Sequence, residues 1–431
     1  MFLIRRIHLL GGHSVDHNMN LKLQLSELPR ENKIALFFLT LINMQDGFDL
    51  LAISYAANSI SNDWGIERSD LGWVFSAALF GMLLGATFLS PYADRIGRKA
   101  ITVIGLILSG VGMIMAAMSP DISWLLTGRF ITGIGVGAII TSLNTLVSEY
   151  SGPKLRSTMI AVFQLGFPIG AVLAGYICLW LLNIGTWRHV FAFGAGLSFF
   201  FVPIVFFLPE SKEFLTMRTQ SQASEALRKR NKAGLRQIFS KQYIYRTSLI
   251  SLSFFLQLMV LYFILSWMPK LIEDMGFTAA EGNRAGRLIN LVGMIGIVVI
   301  GFIALRINIT KVTVFFFIGL AIMMLLLANI TPSMAMITVF VGITGFFTHG
   351  AMIGLYSTVP GLFPVELRAA GSGWAIGVSR IGAVCGPLLA GYFLTWGLSE
   401  QQLFLLFTPA AIVAAMSVSL LYLHMKNVET Y

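Results

Sequence analysis

The stretch from Lys33 to Asn58, KIALFFLTLINMQDGFDLLAISYAAN, is apolar enough to cross a lipid bilayer yet carries Asp46 and Asp49 near its middle. A bilayer core asks for about 20 predominantly apolar residues in a spanning helix, and this stretch supplies them. A carboxylate at the centre of such a helix costs at least about 2.5 kcal/mol on insertion scales, so a chain that keeps two of them uses them. Three residues apart, they share one helical face, which turns toward a protein interior or a water cavity and away from lipid. If the helix starts near Lys33, they stand about 20 and 24 Å along it, inside the membrane. Two carboxyl groups so placed are the first candidates for a proton and substrate site.

Eleven further apolar runs follow the first, at about 70–91, 100–118, 122–147, 157–181, 188–208, 247–270, 286–306, 311–330, 333–358, 369–396 and 402–424. Each is long enough for a helix that satisfies its own backbone hydrogen bonds in lipid. The long run from Val314 to Leu327 does not alternate, which excludes a β-barrel. The 431 residues are 56% hydrophobic and 12% charged, far from the balance of soluble domains. The chain reads as an all-α polytopic membrane protein.

The net charge of +10 does not point to nucleic acid once the basic residues are placed. With the N-terminus inside, 23 of the 30 Lys and Arg fall on the inner side and five outside, with Arg129 and Arg380 within spans. That asymmetry puts both termini in the cytoplasm. Met1–Leu10 lacks a continuous apolar run and a cleavage site, so no signal peptide is expected, and Met19 is an alternative start.

The longest polar interval, about 209–246, divides the spans six and six. The layout is then an N-terminal extension 1–32, a bundle 33–208, a cytoplasmic loop 209–246, a second bundle 247–424 and a cytoplasmic tail 425–431. A weak repeat supports the division: Arg156 matches Arg368, and Gly170-Ala171-Val172 matches Gly382-Ala383-Val384, both at an offset of 212 residues. Two related halves around a midplane cavity is how many secondary transporters are built. Cys178 and Cys385 fall within spans and read as apolar packing, not a disulfide. No Walker loop, paired Cys/His spacing or Gly-x-Ser-x-Gly elbow is present, so no cofactor, metal or enzymatic chemistry is expected.

Between the second and third spans stands Asp94-Arg95-Ile96-Gly97-Arg98-Lys99, which resembles the signature loop of the major facilitator superfamily, with Ser90 where that pattern has its leading Gly. Arg129 with Gly133, Gly135 and Gly137 resembles the superfamily's fourth-span pattern, and Gly166, Gly170 and Gly175 its Gly-rich fifth span. Glu149 with Arg156 looks like the charge pair after the fourth span. The equivalent second-half loop, Arg306-Ile307-Asn308-Ile309-Thr310-Lys311, has lost the acid and the glycine. Asp46-Gly47-Phe48-Asp49 is similar to the Asp-Gly-aromatic-Asp motif of the aromatic acid:proton symporters, and Pro364-Val365-Glu366-Leu367-Arg368 with Gly377–Gly382 resembles that family's eleventh-span region.

The resemblance implies the major facilitator fold, twelve transmembrane helices in two pseudo-symmetric six-helix bundles. It implies a multi-pass inner-membrane carrier that imports small aromatic carboxylates such as benzoate or hydroxybenzoates together with protons; the two-half repeat implies that one chain in lipid encloses a complete pathway and works as a monomer. Carriage of other organic anions, of the dicarboxylate, muconate or phenylpropionate type, or proton-driven export, is the alternative. A cytoplasmic gate is implied at Asp94, Arg95, Gly97, Arg98, Glu149, Arg156, Glu366 and Arg368, where charge-assisted bonds at helix ends lock and release as the halves rock.

For the site itself, Asp46 and Asp49 are read as proton-coupling groups, with Asp49 also toward substrate; the other reading is a structural pair with a basic residue of another helix. Arg380 keeps its charge and suits a substrate carboxylate, or else bridges to a first-span aspartate. Arg129 takes part in proton transfer by resemblance, or pairs helices. His349 is the histidine deep in a span, as a substrate donor or a satisfied interior group. Phe48, Tyr356, Trp374 and Tyr55 lie near enough in sequence terms to stack on a ring substrate, though each is also a packing residue.

Overall fold

The computed structural model describes residues 28–208, 210, 236–329 and 333–429, without the side chains of Asp94, Pro153, Lys154, Ser157, Val365, Glu366, Ala369 and 427–429. Most of the polar interval and of the N-terminal extension therefore lies outside the described residues. Among those described, twelve helices are long and apolar enough to span a membrane. They are α1 Arg30–Trp64, α2 Arg68–Tyr92, α3 Arg98–Ala117, α4 Ile122–Gly152, α5 Thr158–Ile184, α6 Trp187–Phe207, α7 Ile244–Asp274, α8 Ala279–Ala304, α9 Ile309–Ala328, α10 Met334–Leu362, α11 Ala370–Thr395 and α12 Glu400–Lys426.

Every expected span has its helix, with local chemistry moving the ends. The largest departure is α8, which starts seven residues before the expected 286. Thr278 Oγ1 accepts from Glu281 N at 3.3 Å while the Glu281 carboxylate accepts from Thr278 N at 2.9 Å, a reciprocal cap that opens the helix among polar residues. The helix α1 runs on to Trp64, where Gly65 at φ 60° stops it and returns its N–H to Ser61 O. Between α4 and α5 the chain turns at Gly152, φ 68°, a conformation that favours glycine.

Packing repeats between the halves. In the first, α1 lies on α5, α2 on α4 and α3 on α6; in the second, α7 lies on α11, α8 on α10 and α9 on α12. The close approaches need missing side chains: a Cβ at Gly170 would stand 1.8 Å from Met44 O, and one at Gly382 would stand 2.0 Å from Phe255 O. The helix corners repeat as well. Arg156 Nε donates to Ser148 O at 3.3 Å and Arg368 Nε to Pro360 O at 3.0 Å, the same bond at the same 212-residue offset.

The halves meet along α2 with α11, α5 with α8 and α1 with α7. Bonds between them gather toward the end of the molecule opposite the described chain ends. Arg68 stands 3.3 Å from Asp274 and 3.2 Å from Glu400. Beside it Ser69 N donates to Thr395 Oγ1 at 2.9 Å and Trp73 Nε1 to Tyr392 OH at 3.1 Å. One layer deeper, Ser54 Oγ donates to Ser266 O at 2.6 Å, Ser76 Oγ to Val384 O at 2.8 Å and Arg287 to Gly175 O at 3.3 Å. At the other end of α11 the surface opens: Cβ atoms built at Gly373 and Gly377 would meet nothing within 4 Å, and Trp374 is 38% exposed.

Candidate functional site

The carboxylates of α1 are buried as the spacing demands, yet they meet different neighbours. Asp49 faces its own bundle. Its Oδ2 accepts from Ser109 Oγ of α3 at 3.0 Å and from Gln45 Nε2, one helical turn away, at 3.3 Å. Gln45 Nε2 also donates to Ser198 Oγ of α6 at 2.5 Å, so three helices converge on one carboxylate. Arg129 of α4, itself 1% exposed, donates from Nη1 to the main-chain carbonyl of Asp49 at 3.0 Å and lies 5.9 Å from the Phe191 ring centroid. A buried guanidinium needs such partners, because an uncompensated one is costly.

Asp46 faces outward from that network. Among the described residues its Oδ1 is buried with no hydrogen-bond partner. With Asp49, Ala78, Met82, Arg129 and Thr132 it lines a cleft holding about 210 Å³ of empty space between α1, α2 and α4. The room inside it is about that of one water molecule, so the cleft suits water and protons more than a whole substrate. Arg380 of α11, across the boundary between bundles, acts electrostatically on Asp46. Its guanidinium sits in reach of Tyr262 and Tyr356 and donates to Met82 Sδ at 3.1 Å, a weak acceptor that leaves its fork able to receive an anion.

The remaining expected site residues divide. Tyr356 packs edge-on to Phe254 at 5.3 Å beside Arg380, a position that touches the site. His349 is 5% exposed, its Nδ1 lies 3.1 Å from Gly345 O of its own helix, and it packs on Gly293 of α8. Phe48 turns into the first bundle, 5.4 Å from the Phe193 ring and against Gly194, so its expected stacking on substrate is replaced by a packing role. Trp374 stands edge-on to Phe239 at 4.9 Å, six residues and about 9 Å along the helix before Arg380, and is likewise removed from the expected site. Tyr55 donates to Ala171 O at 3.3 Å and wedges between α5 and α8.

Among the residues of the expected gate, Arg98 Nε pairs with Glu149 Oε1 at 3.4 Å, both side chains 5% exposed, tying the start of α3 to the end of α4. Arg95 lies 5.7 Å from the Tyr92 ring, and Gly97 takes φ 108° where the loop turns into α3. The side chains of Asp94 and Glu366 lie outside those described. Arg156 and Arg368 hold the corner carbonyls already given.

Sequence reasoning passed over Gln45, Ser109, Ser198 and Tyr262. The available signal was modest: Gln45 stands four residues before Asp49, where one turn of helix brings side chains together.

Comparison with known proteins gives the family and the fold. The family model described as Major Facilitator Superfamily matches residues 36–360. A gallate transporter of Pseudomonas putida is 32% identical over 399 residues, covering 88% of this chain and 89% of that one. The 4-hydroxybenzoate transporter PcaK of Pseudomonas aeruginosa is 30% identical over 401 residues, covering 87% and 89%. Among solved structures, a D-xylose-proton symporter superimposes with a TM-score of 0.72 at 16% identity, over 89% of this chain and 96% of that one.

The chain belongs to the major facilitator superfamily. It is a multi-pass membrane transporter of the major facilitator fold, with twelve spanning helices among the described residues, and not an enzyme.

Proposed function

We propose that this transporter carries small aromatic carboxylates into the cell together with protons. The observation that supports it most is the placement of a permanent cation, Arg380, opposite an unpartnered carboxyl, Asp46, on the other bundle. A substrate carboxylate takes the guanidinium; a proton on Asp46 releases that guanidinium from its competing anion. With both charges neutralised, the space between the bundles closes at low electrostatic cost and reopens on the other side. The relatives that transport gallate and 4-hydroxybenzoate, both carboxylated aromatic rings, favour this substrate class over aliphatic diacids.

The excess of Lys and Arg beside the described chain ends argues that this end faces the cytoplasm of an inner membrane. The bonds gathered at the opposite end then correspond to a carrier closed outward and open inward. One chain encloses the whole pathway between its bundles, which favours a monomer in lipid as the working unit.

Uptake of labelled 4-hydroxybenzoate into energised vesicles, with external pH recorded, tests the reading. Accumulation with external alkalinisation is expected, and Asp46→Asn is expected to abolish uphill accumulation while still inserting in the membrane. Uptake with no proton movement overturns coupling, and efflux in place of uptake overturns the direction.

A further inference from the structure

A second polar patch lies in the other bundle, away from the aspartates. Gln257 of α7 is 1% exposed, and Thr348 of α10 and Asn290 of α8 are 0% exposed. Gln257 Nε2 donates to Thr348 O at 2.7 Å, and Asn290 Nδ2 donates to Gly286 O of its own helix at 3.1 Å. What remains is Gln257 Oε1, Thr348 Oγ1 and Asn290 Oδ1, each buried with no partner among the described residues. Orphaned atoms of this kind are rare in folded proteins, and each one costs free energy unless something supplies the missing bond.

The patch is placed by its neighbours. Thr348 precedes His349, whose ring rests on Gly293, and Gly293 is three residues from Asn290 on α8. With Nδ1 of His349 directed at Gly345 O, that nitrogen carries the proton and Nε2 is left as an acceptor. On α10, His349 and Tyr356 are seven residues apart, two turns on one face, about 10.5 Å along the axis. Tyr356 and its edge-on partner Phe254 connect the patch to Arg380: Phe254 lies one turn from Gln257, and Tyr356 is in reach of the guanidinium. An apolar aromatic wall thus runs from a cation to a cluster rich in acceptors.

We propose that Gln257, Asn290, Thr348 and His349 form a subsite for the ring hydroxyl of a phenolic carboxylate whose carboxylate is held at Arg380. The chemistry fixes the polarity of binding. A phenol O–H donates to Gln257 Oε1, Asn290 Oδ1 or His349 Nε2 and accepts from Thr348 Oγ1–H, whereas a carboxylate at the same spot meets mainly lone pairs. A site made to hydrogen-bond a hydroxyl discriminates strongly against the analogue lacking it, because its buried acceptors are then left unpaired. The inference rests on the proposed transport of aromatic carboxylates and names the part of the chain that reads the ring.

The test is a competition between labelled 4-hydroxybenzoate and labelled benzoate for uptake by the full-length transporter and by Thr348→Val and Gln257→Leu. Thermal unfolding and membrane abundance are recorded for each. The full-length chain is expected to prefer the hydroxylated acid, and each variant to lower the 4-hydroxybenzoate-to-benzoate uptake ratio by about tenfold, the worth of one or two neutral hydrogen bonds. Folded variants that keep the original ratio overturn the subsite alone; a Thr348→Val protein that is stabilised with its ratio unchanged assigns the patch to structural water. An unmodified chain that takes up neither acid overturns the transport reading, and the subsite with it.

Discussion

Arg129 holds α1 by the main-chain carbonyl of Asp49, 3.0 Å away, so the two bundle helices stay tied whichever protonation state the side chain of Asp49 takes. The anchor and the titratable group share a residue but not an atom. The carboxylate in turn hangs on Ser109 and Gln45, which an amide at the same place also accepts from.

Asp49→Asn is therefore expected to fold, with stability changed by no more than about 1 kcal/mol, since neutral hydrogen bonds replace charge-assisted ones. Arg129→Leu is expected to cost about 3 kcal/mol or more, because it strips the carbonyl of its donor and leaves Asp49 buried without its nearby cation. Thermal unfolding of both variants in one detergent checks the contrast. Equal losses would mean that Arg129 works through the charge of Asp49 alone and that its bond to the carbonyl adds nothing.

Arg68, its own side chain 38% exposed, joins the bundles through two carboxylates, Asp274 and Glu400. Exposed pairs contribute about 0–1 kcal/mol, too little to matter for folding. The same amount matters for a balance between two states. Arg68→Gln is expected to leave the unfolding temperature nearly unchanged and to raise the share of molecules open at that end by up to about fivefold. Distances between spin labels placed on α2 and α11 near Arg68 measure it, and an unaltered distribution would mean that Arg68 does not hold that end closed.

Gly170 and Gly196 give a matched comparison. A Cβ at Gly170 runs into the Met44 carbonyl at 1.8 Å, while one at Gly196 meets nothing within 4 Å. Gly170→Ala is expected to push α5 off α1 at a cost of about 1–3 kcal/mol, as overpacking does. Gly196→Ala is expected to be neutral or slightly stabilising, through the better helix propensity of alanine. Yield and unfolding temperature of the two variants report the difference.

Much of this was open to reading from the chain alone, for one reason. A charge inside a 20-residue apolar run has no inexpensive explanation, so Asp46, Asp49, Arg129 and Arg380 announce themselves. The long apolar runs likewise mark the twelve spanning helices among the described residues, and the early start of α8 escaped only because Glu281, Asn283 and Arg284 interrupt the hydrophobic pattern. Gln45, Ser109 and Ser198 were silent for the opposite reason: neutral side chains in a span can satisfy themselves on their own helix, and nothing local says that they reach across. For Phe48 and Trp374 the sequence left packing and stacking on substrate both open, because proximity in sequence to a charged residue says little about which way a ring points. Only the packing of α6 on α1, and of Phe239 on α11, decides it.

The paired arginine bonds at Ser148 O and Pro360 O bear on how the molecule can be taken apart. Each bundle braces its own corner, between its fourth and fifth helices, with a residue that belongs to that bundle. A break in the polypeptide between Glu210 and Arg236 would sever neither brace. Two gene fragments, co-expressed from that junction, should therefore recombine in the membrane as halves that were never covalently joined.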